Sequence, residues 1–180
     1  MEAEVYAPRS LALGGRRRQG EPHERPRPAR LFLCGAQLEE ECLVGKSLDI
    51  ADSILGMEFK RGARGPEAID CYGVVKYYYA QFGFTLPDYS YVENWDDKEE
   101  IYLAEYARFF RKLGPGETPE VGDMVLFVNT KEVANHAGIY LGDNNFVHAY
   151  EQIGTKIDSF IKRFPVNWKQ KIYGYFRIRE

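Results

Sequence analysis

One cysteine and two histidines stand in this 180-residue chain where nucleophilic chemistry could be built. The cysteine lies in Asp70-Cys71-Tyr72-Gly73-Val74-Val75, which reads as the start of a helix, and the histidines lie in Asn135-His136-Ala137-Gly138-Ile139-Tyr140-Leu141-Gly142 and Asn145-Phe146-Val147-His148-Ala149-Tyr150. A free thiol with an ordinary pKa of about 8.5 is mostly protonated at neutral pH. The first turn of a helix offers unpaired N–H groups and partial positive charge, so Cys71 is expected to have a lowered pKa and to be the most reactive of the three thiols. A thiolate beside two imidazoles supplies a nucleophile, a proton acceptor and a group to orient that acceptor. The first hypothesis is therefore a hydrolase.

Each residue also has an ordinary explanation. A cysteine in a Val/Tyr-rich helix is more often an inert core residue, and a single strand histidine is usually structural. The hairpin changes that balance, because His23 falls in an arm and both remaining histidines fall in one hairpin. Strand alternation puts His136, Gly138 and Tyr140 on one face, and Phe146, His148 and Tyr150 on one face, so the two imidazoles can meet on adjacent strands.

The flanking sequence predicts how these residues are positioned. Ser47 to Gly56 reads as a short helix with Ser47 as N-cap, and Phe59 to Ile69 as a Gly-rich loop. Asp70 is a favourable N-cap; Cys71, Val74, Val75, Tyr78 and Phe82 follow at helical spacing, and Gly83 ends that helix. Leu86-Pro87-Asp88-Tyr89 reads as a turn, and Asp97 to Leu113 as a second amphipathic helix closed by Gly114-Pro115. The period then becomes alternating, with strands expected at Asp123 to Val128, His136 to Leu141, Asn145 to Tyr150 and Ile172 to Ile178, and a hairpin turn at Gly142-Asp143-Asn144. Helices followed by antiparallel strands define an α+β class.

Composition limits the remaining possibilities. With 44% hydrophobic residues the chain can bury one core, and a net charge of -3 with pI near 5.7 provides no global basic field for nucleic acid. Three cysteines without a CxxC pair argue against a disulfide scaffold. The start lacks the basic-then-apolar order of a signal peptide, and no stretch reaches the length of a membrane span. Residues 1–45, rich in Arg, Pro and Gly, are expected to be a disordered or non-native arm, and residues 46–180 the catalytic domain.

With the motifs laid out, the chain resembles the NlpC/P60 cysteine peptidases of papain-like fold. The resemblance is carried by Asp70-Cys71-Tyr72-Gly73-Val74-Val75, Gly122-Asp123-Met124-Val125-Leu126-Phe127, Asn135-His136-Ala137-Gly138-Ile139-Tyr140-Leu141-Gly142 and Phe146-Val147-His148-Ala149, in that order. It implies Cys71 as nucleophile, His136 as general base and then acid, and His148 as the residue that orients His136. It also implies peptidoglycan stem peptides as substrate, commonly at the bond between D-glutamate and a diamino acid, with no cofactor. The string Arg64-Gly65-Pro66-Glu67-Ala68-Ile69-Asp70-Cys71-Tyr72-Gly73, with Leu86-Pro87-Asp88-Tyr89 after it, is similar to the branch found in bacteriophage tails and gene-transfer particles. That branch implies other tail proteins as partners, and a protein made in the cytoplasm, carried on a particle and acting on the wall.

Two positions depart from the wider family: Tyr72 stands where many cell-wall members have serine, and Phe59 where a tyrosine hydroxyl often reaches the site. Phe59, Arg64, Tyr72 and Tyr89 are the expected substrate contacts. Two other readings compete. One is a tail assembly protein that keeps the fold with little turnover. The other is a zinc site formed by Cys71, His136 and His148, which are competent ligands but which the family resemblance disfavours.

Overall fold

Hydrophobic residues that alternate along the C-terminal half give a sheet two unlike apolar faces, and each face must be covered. The computed structural model describes residues 36–88, 103, 106–130, 133–162 and 166–179. Helix α1 (Ala36–Ile54) leads through the short strands β1 (Glu58–Phe59) and β2 (Ala68–Ile69), which pair in parallel, into α2 (Cys71–Ala80). The remaining strands are β3 (Phe110–Lys112), β4 (Met124–Thr130), β5 (Val133–Gly142), β6 (Asn145–Tyr150), β7 (Gly154–Ser159) and β8 (Ile172–Ile178), with a 3-10 turn at Trp168–Lys171 before β8. They form an antiparallel sheet in the order β3-β8-β4-β5-β6-β7.

Alternation decides which side chains go where. Met124, Leu126, Ala137, Ile139, Val147 and Ala149 turn toward the helices and bury Val74, Val75 and Tyr78 of α2. Val125, Phe127 and Phe146 turn the other way and are closed by Phe160 and Trp168. The expected hairpin turn is present, with Asp143 at φ 47° and Asn144 at φ 63°. Two successive residues in the left-handed region match the right-handed twist of the flanking strands.

Three expectations about local structure are corrected. Ser47 does not cap a helix, because α1 begins at Ala36 and Ser47 lies inside it. Its buried hydroxyl donates to Leu43 O at 2.7 Å and meets Tyr78 Oη at 2.6 Å, tying α1 to α2. A serine that bonds back to the preceding turn carries the same local signal as a cap. The helix expected to end at Leu113 stops earlier: Phe110–Lys112 forms β3 against Ile178, Arg177 and Phe176 of β8. Pairing with a distant strand overrides the local period there. Finally, β7 was not expected as a strand, and it extends the sheet beyond His148.

Candidate functional site

The loop before α2 is built to hold the first helical turn. Asp70 is buried; its Oδ1 accepts from Gly73 N at 2.6 Å, and its Oδ2 accepts from Gly62 N at 2.7 Å and from Arg64 Nη1 at 2.6 Å. Asp70 thus performs the expected N-cap. Gly73 is required by close approach, since a Cβ there would lie 2.6 Å from Ala63 O. Cys71 consequently occupies the first residue of α2, at the end nearest the loop.

The thiol does not have the lowered pKa expected from its position. Cys71 keeps some exposure, yet burial pushes its thiol up to about 12, and the Asp70 carboxylate adds to the rise. The backbone N–H groups of Ala137 and Tyr72, and then Arg64, oppose this without reversing it. Desolvation therefore outweighs the helix terminus, and the thiol is neutral at rest. Helix α2 packs on β5, and the Ala137 N–H, one residue after His136, is among the groups acting on the thiol.

The two imidazoles meet directly. His136 Nε2 lies 2.8 Å from His148 Nδ1, and both rings are buried on the sheet face opposite α2. The register makes them diagonal neighbours, since Ile139 pairs with Val147 and Tyr140 with Phe146. An aromatic box holds them: His136 stacks on Trp168 with centroids 5.3 Å apart and planes at 25°, and Phe127 and Tyr150 lie beside it at 5.6 Å. Burial, then His148 and Lys171, depress the His136 pKa well below the ordinary 6.5, so the ring is neutral at physiological pH. Burial also lowers His148, against the opposing pull of Asp158. Among the described residues, the thiol makes no hydrogen bond to either ring. A neutral imidazole is competent to accept the proton that a thiol gives up as it attacks a substrate carbonyl.

Sequence reasoning missed two residues of this site. Asp158 Oδ2 lies 3.7 Å from His148 Nε2, accepts from Trp168 Nε1 at 2.8 Å and pairs with Lys156 Nζ at 2.9 Å. Burial alone would raise its pKa, but His148, Lys156 and Trp168 together hold it well below the carboxylate range. Gly154–Ser159 carried no clear alternation; the β6–β7 register, which sets Lys156 opposite His148 and Asp158 opposite Phe146, is decided by tertiary pairing. Trp168 gave no periodic signal, because its 3-10 turn is too short for one.

The expected substrate contacts are distributed differently. Arg64 is engaged internally, with Asp70 and with Asp88 Oδ1 at 2.8 Å, and its guanidinium lies 5.2 Å from the Tyr72 ring centre. Tyr72 is buried, and its hydroxyl donates to Pro87 O at 2.8 Å. Phe59 is half-buried in the helix-side core and pairs with Ile69. Tyr89 lies outside the described residues. The three candidate zinc ligands do not converge: the imidazole nitrogens face each other, and among the described residues no group of three or more His, Cys, Asp or Glu side chains could hold a metal ion.

Helices packed on a six-stranded antiparallel sheet give the chain an α+β fold. The model of the NlpC/P60 family matches residues 56–176, more than half of the chain, and the chain belongs to that family. It is 31% identical over 128 residues to the "Probable endopeptidase p60" of Listeria seeligeri, a match covering 71% of this chain and 21% of that protein. It is 29% identical over 147 residues to the "Murein DD-endopeptidase MepS/Murein LD-carboxypeptidase" of Escherichia coli K12, covering 77% of this chain and 68% of that one. The chain thus spans about a fifth of the length of the Listeria relative. A crystal structure from Staphylococcus aureus, described as similar to lipoprotein, NLP/P60 family, shares the fold with a TM-score of 0.56 at 20% identity, covering 87% of this chain and 45% of the other.

Proposed function

We propose that this chain is a cysteine hydrolase that cuts amide bonds in the stem peptides of peptidoglycan, with Cys71 as nucleophile, His136 as base and His148 as the group that orients it. One observation carries the reading: the Ala137 N–H of β5, one residue after His136, acts on the α2 thiol, and His136 Nε2 lies 2.8 Å from His148 Nδ1. As Sγ attacks the carbonyl carbon, its proton passes to His136, which is neutral and able to accept it. The backbone N–H of Cys71, at the head of α2, is a donor for the developing oxyanion. His136 then gives the proton to the leaving amine. The resulting thioester is hydrolysed by a water that His136 deprotonates, which restores the thiol.

The proposed bond is that between D-glutamate and the diamino acid. The Escherichia coli relative is named a murein DD-endopeptidase and LD-carboxypeptidase, so neighbouring bonds of the same stem are the competing outcomes. Mass spectrometry of purified peptidoglycan digested by wild type and by Cys71→Ala separates them. New amino termini on the diamino acid support the reading, and identical digests from both proteins overturn it. Delivery on a phage tail or related particle is supported by the Arg64 to Gly73 string and the Leu86-Pro87-Asp88 turn, which fold onto each other through Arg64–Asp88 and Tyr72–Pro87. Detection of this chain in purified particles tests that part.

A second reading, a tail assembly protein with little turnover, is favoured by the neutral thiol, which lacks a bonded imidazole at rest. Muropeptide turnover by the wild-type protein that vanishes in Cys71→Ala decides against it.

A further inference from the structure

We propose that Asp158 is a positioning residue that sets the tautomer of the histidine pair, so that His136 presents its Nδ1 lone pair as the base. The inference rests on the assignment of roles above and adds a fourth member to the relay.

His148 is fully buried, and its Nε2 has no hydrogen-bond partner, yet it points at Asp158 Oδ2 from 3.7 Å. That carboxylate oxygen is fixed by the Trp168 indole N–H at 2.8 Å and the Lys156 ammonium at 2.9 Å. A bare nitrogen lone pair aimed at a carboxylate repels it, whereas an N–H aimed there is attracted, and burial magnifies the difference. The proton of neutral His148 therefore belongs on Nε2. Its Nδ1 is then an acceptor, so the 2.8 Å contact is a hydrogen bond donated by His136 Nε2. Neutral His136 is left with its lone pair on Nδ1. No other neutral arrangement makes both contacts attractive.

Trp168 couples the two ends of this chain of bonds. Its N–H holds Asp158 while its ring stacks on His136, so one side chain fixes both the carboxylate and the plane of the base. The Asp158 charge also favours the imidazolium that forms when His136 takes a proton. The charged groups acting on the pair are Asp158 and Lys156 from β7 and Lys171 from the 3-10 turn.

The test is nitrogen-15 NMR of the histidine rings in the full chain, run beside the pH dependence of muropeptide turnover. In wild type both rings should carry their proton on Nε2. Asp158→Ala should produce mixed tautomers and lower kcat roughly tenfold to a hundredfold, less than loss of a directly bonded orienter costs. Asp158→Asn keeps an acceptor oxygen but not the charge, so it should retain the tautomer, recover part of kcat and move the acid limb of kcat/KM to lower pH. A merely structural Asp158 would leave tautomer and acid limb in place. A wild-type His148 with its proton on Nδ1, or Asp158→Ala with the wild-type tautomer and kcat, overturns the proposal. The ring spectra need no turnover, so an inert wild type would sink the peptidase reading while the spectra still decide this one.

Discussion

Two buried carboxylates flank the site, and they are used in opposite ways. Asp70 spends its oxygens on Gly73 N, Gly62 N and Arg64, all within 2.7 Å. Asp158 accepts from Trp168 and Lys156 but also faces the unpartnered His148 Nε2 across 3.7 Å. A carboxylate saturated by backbone donors and one guanidinium is architectural: it caps a helix and pins a loop. One that faces an imidazole can still act on the charge and proton placement of that ring. Burial alone thus does not set function; the identity of the donors decides.

The largest effects should fall on turnover. His136→Ala removes the proton acceptor and should lower kcat by about a thousandfold or more, whereas His148→Asn, which keeps an oxygen able to accept from His136, should retain measurable activity. Muropeptide assays with circular dichroism to confirm folding measure both, and equal loss in the two variants would break the division of roles.

The next effect should fall on stability and on the other carboxylate. Asp70→Ala removes the α2 cap and leaves the mostly buried Arg64 without its inner partner, so it should cost about 3 kcal/mol in urea unfolding. Asp70→Ala should chiefly lower stability and Asp158→Ala chiefly kcat; the same response from both variants would mean that their donors do not set their roles.

Stability should also vary with pH in a definite sense. His136 and His148 have folded pKa values below 6.5, so the unfolded chain binds protons more readily and stability falls as pH drops below about 6.5. Asp158 adds a further loss at lower pH, because its folded pKa is also depressed. Cys71 works at the other end: its thiol is raised from 9.0 to about 12, so stability should fall as pH rises through that window. Urea midpoints should therefore be highest between about pH 6.5 and 9.

The smallest effect is on labelling, and it revises the reactivity expected from the helix start. Cys42 is exposed, whereas Cys71 is partly covered and held neutral. Limiting iodoacetamide at pH 7 should label Cys42 first, and Cys71 labelling should climb steadily with pH. A Cys71 rate already at its plateau near neutral pH would mean a preformed thiolate.

What the sequence determined by itself was local or periodic. Asp70 before Cys71 specifies a capped helix start, Asp143-Asn144 specifies the hairpin turn, and period two places His136 and His148 on one face, because these outcomes depend on neighbours a few residues away. Tertiary structure decided what depends on distant partners. Lys112 pairs with Phe176, which turns an expected helix end into a strand, and Ser47 is claimed by Tyr78 from another helix. Burial reverses the thiol pKa that the helix start alone would lower, since desolvation depends on everything packed around Cys71. The same holds for Asp158: only β6–β7 pairing, with Trp168 brought in from before β8, sets that carboxylate beside His148. A local pattern says which way a side chain points, and only the folded chain says what it meets there.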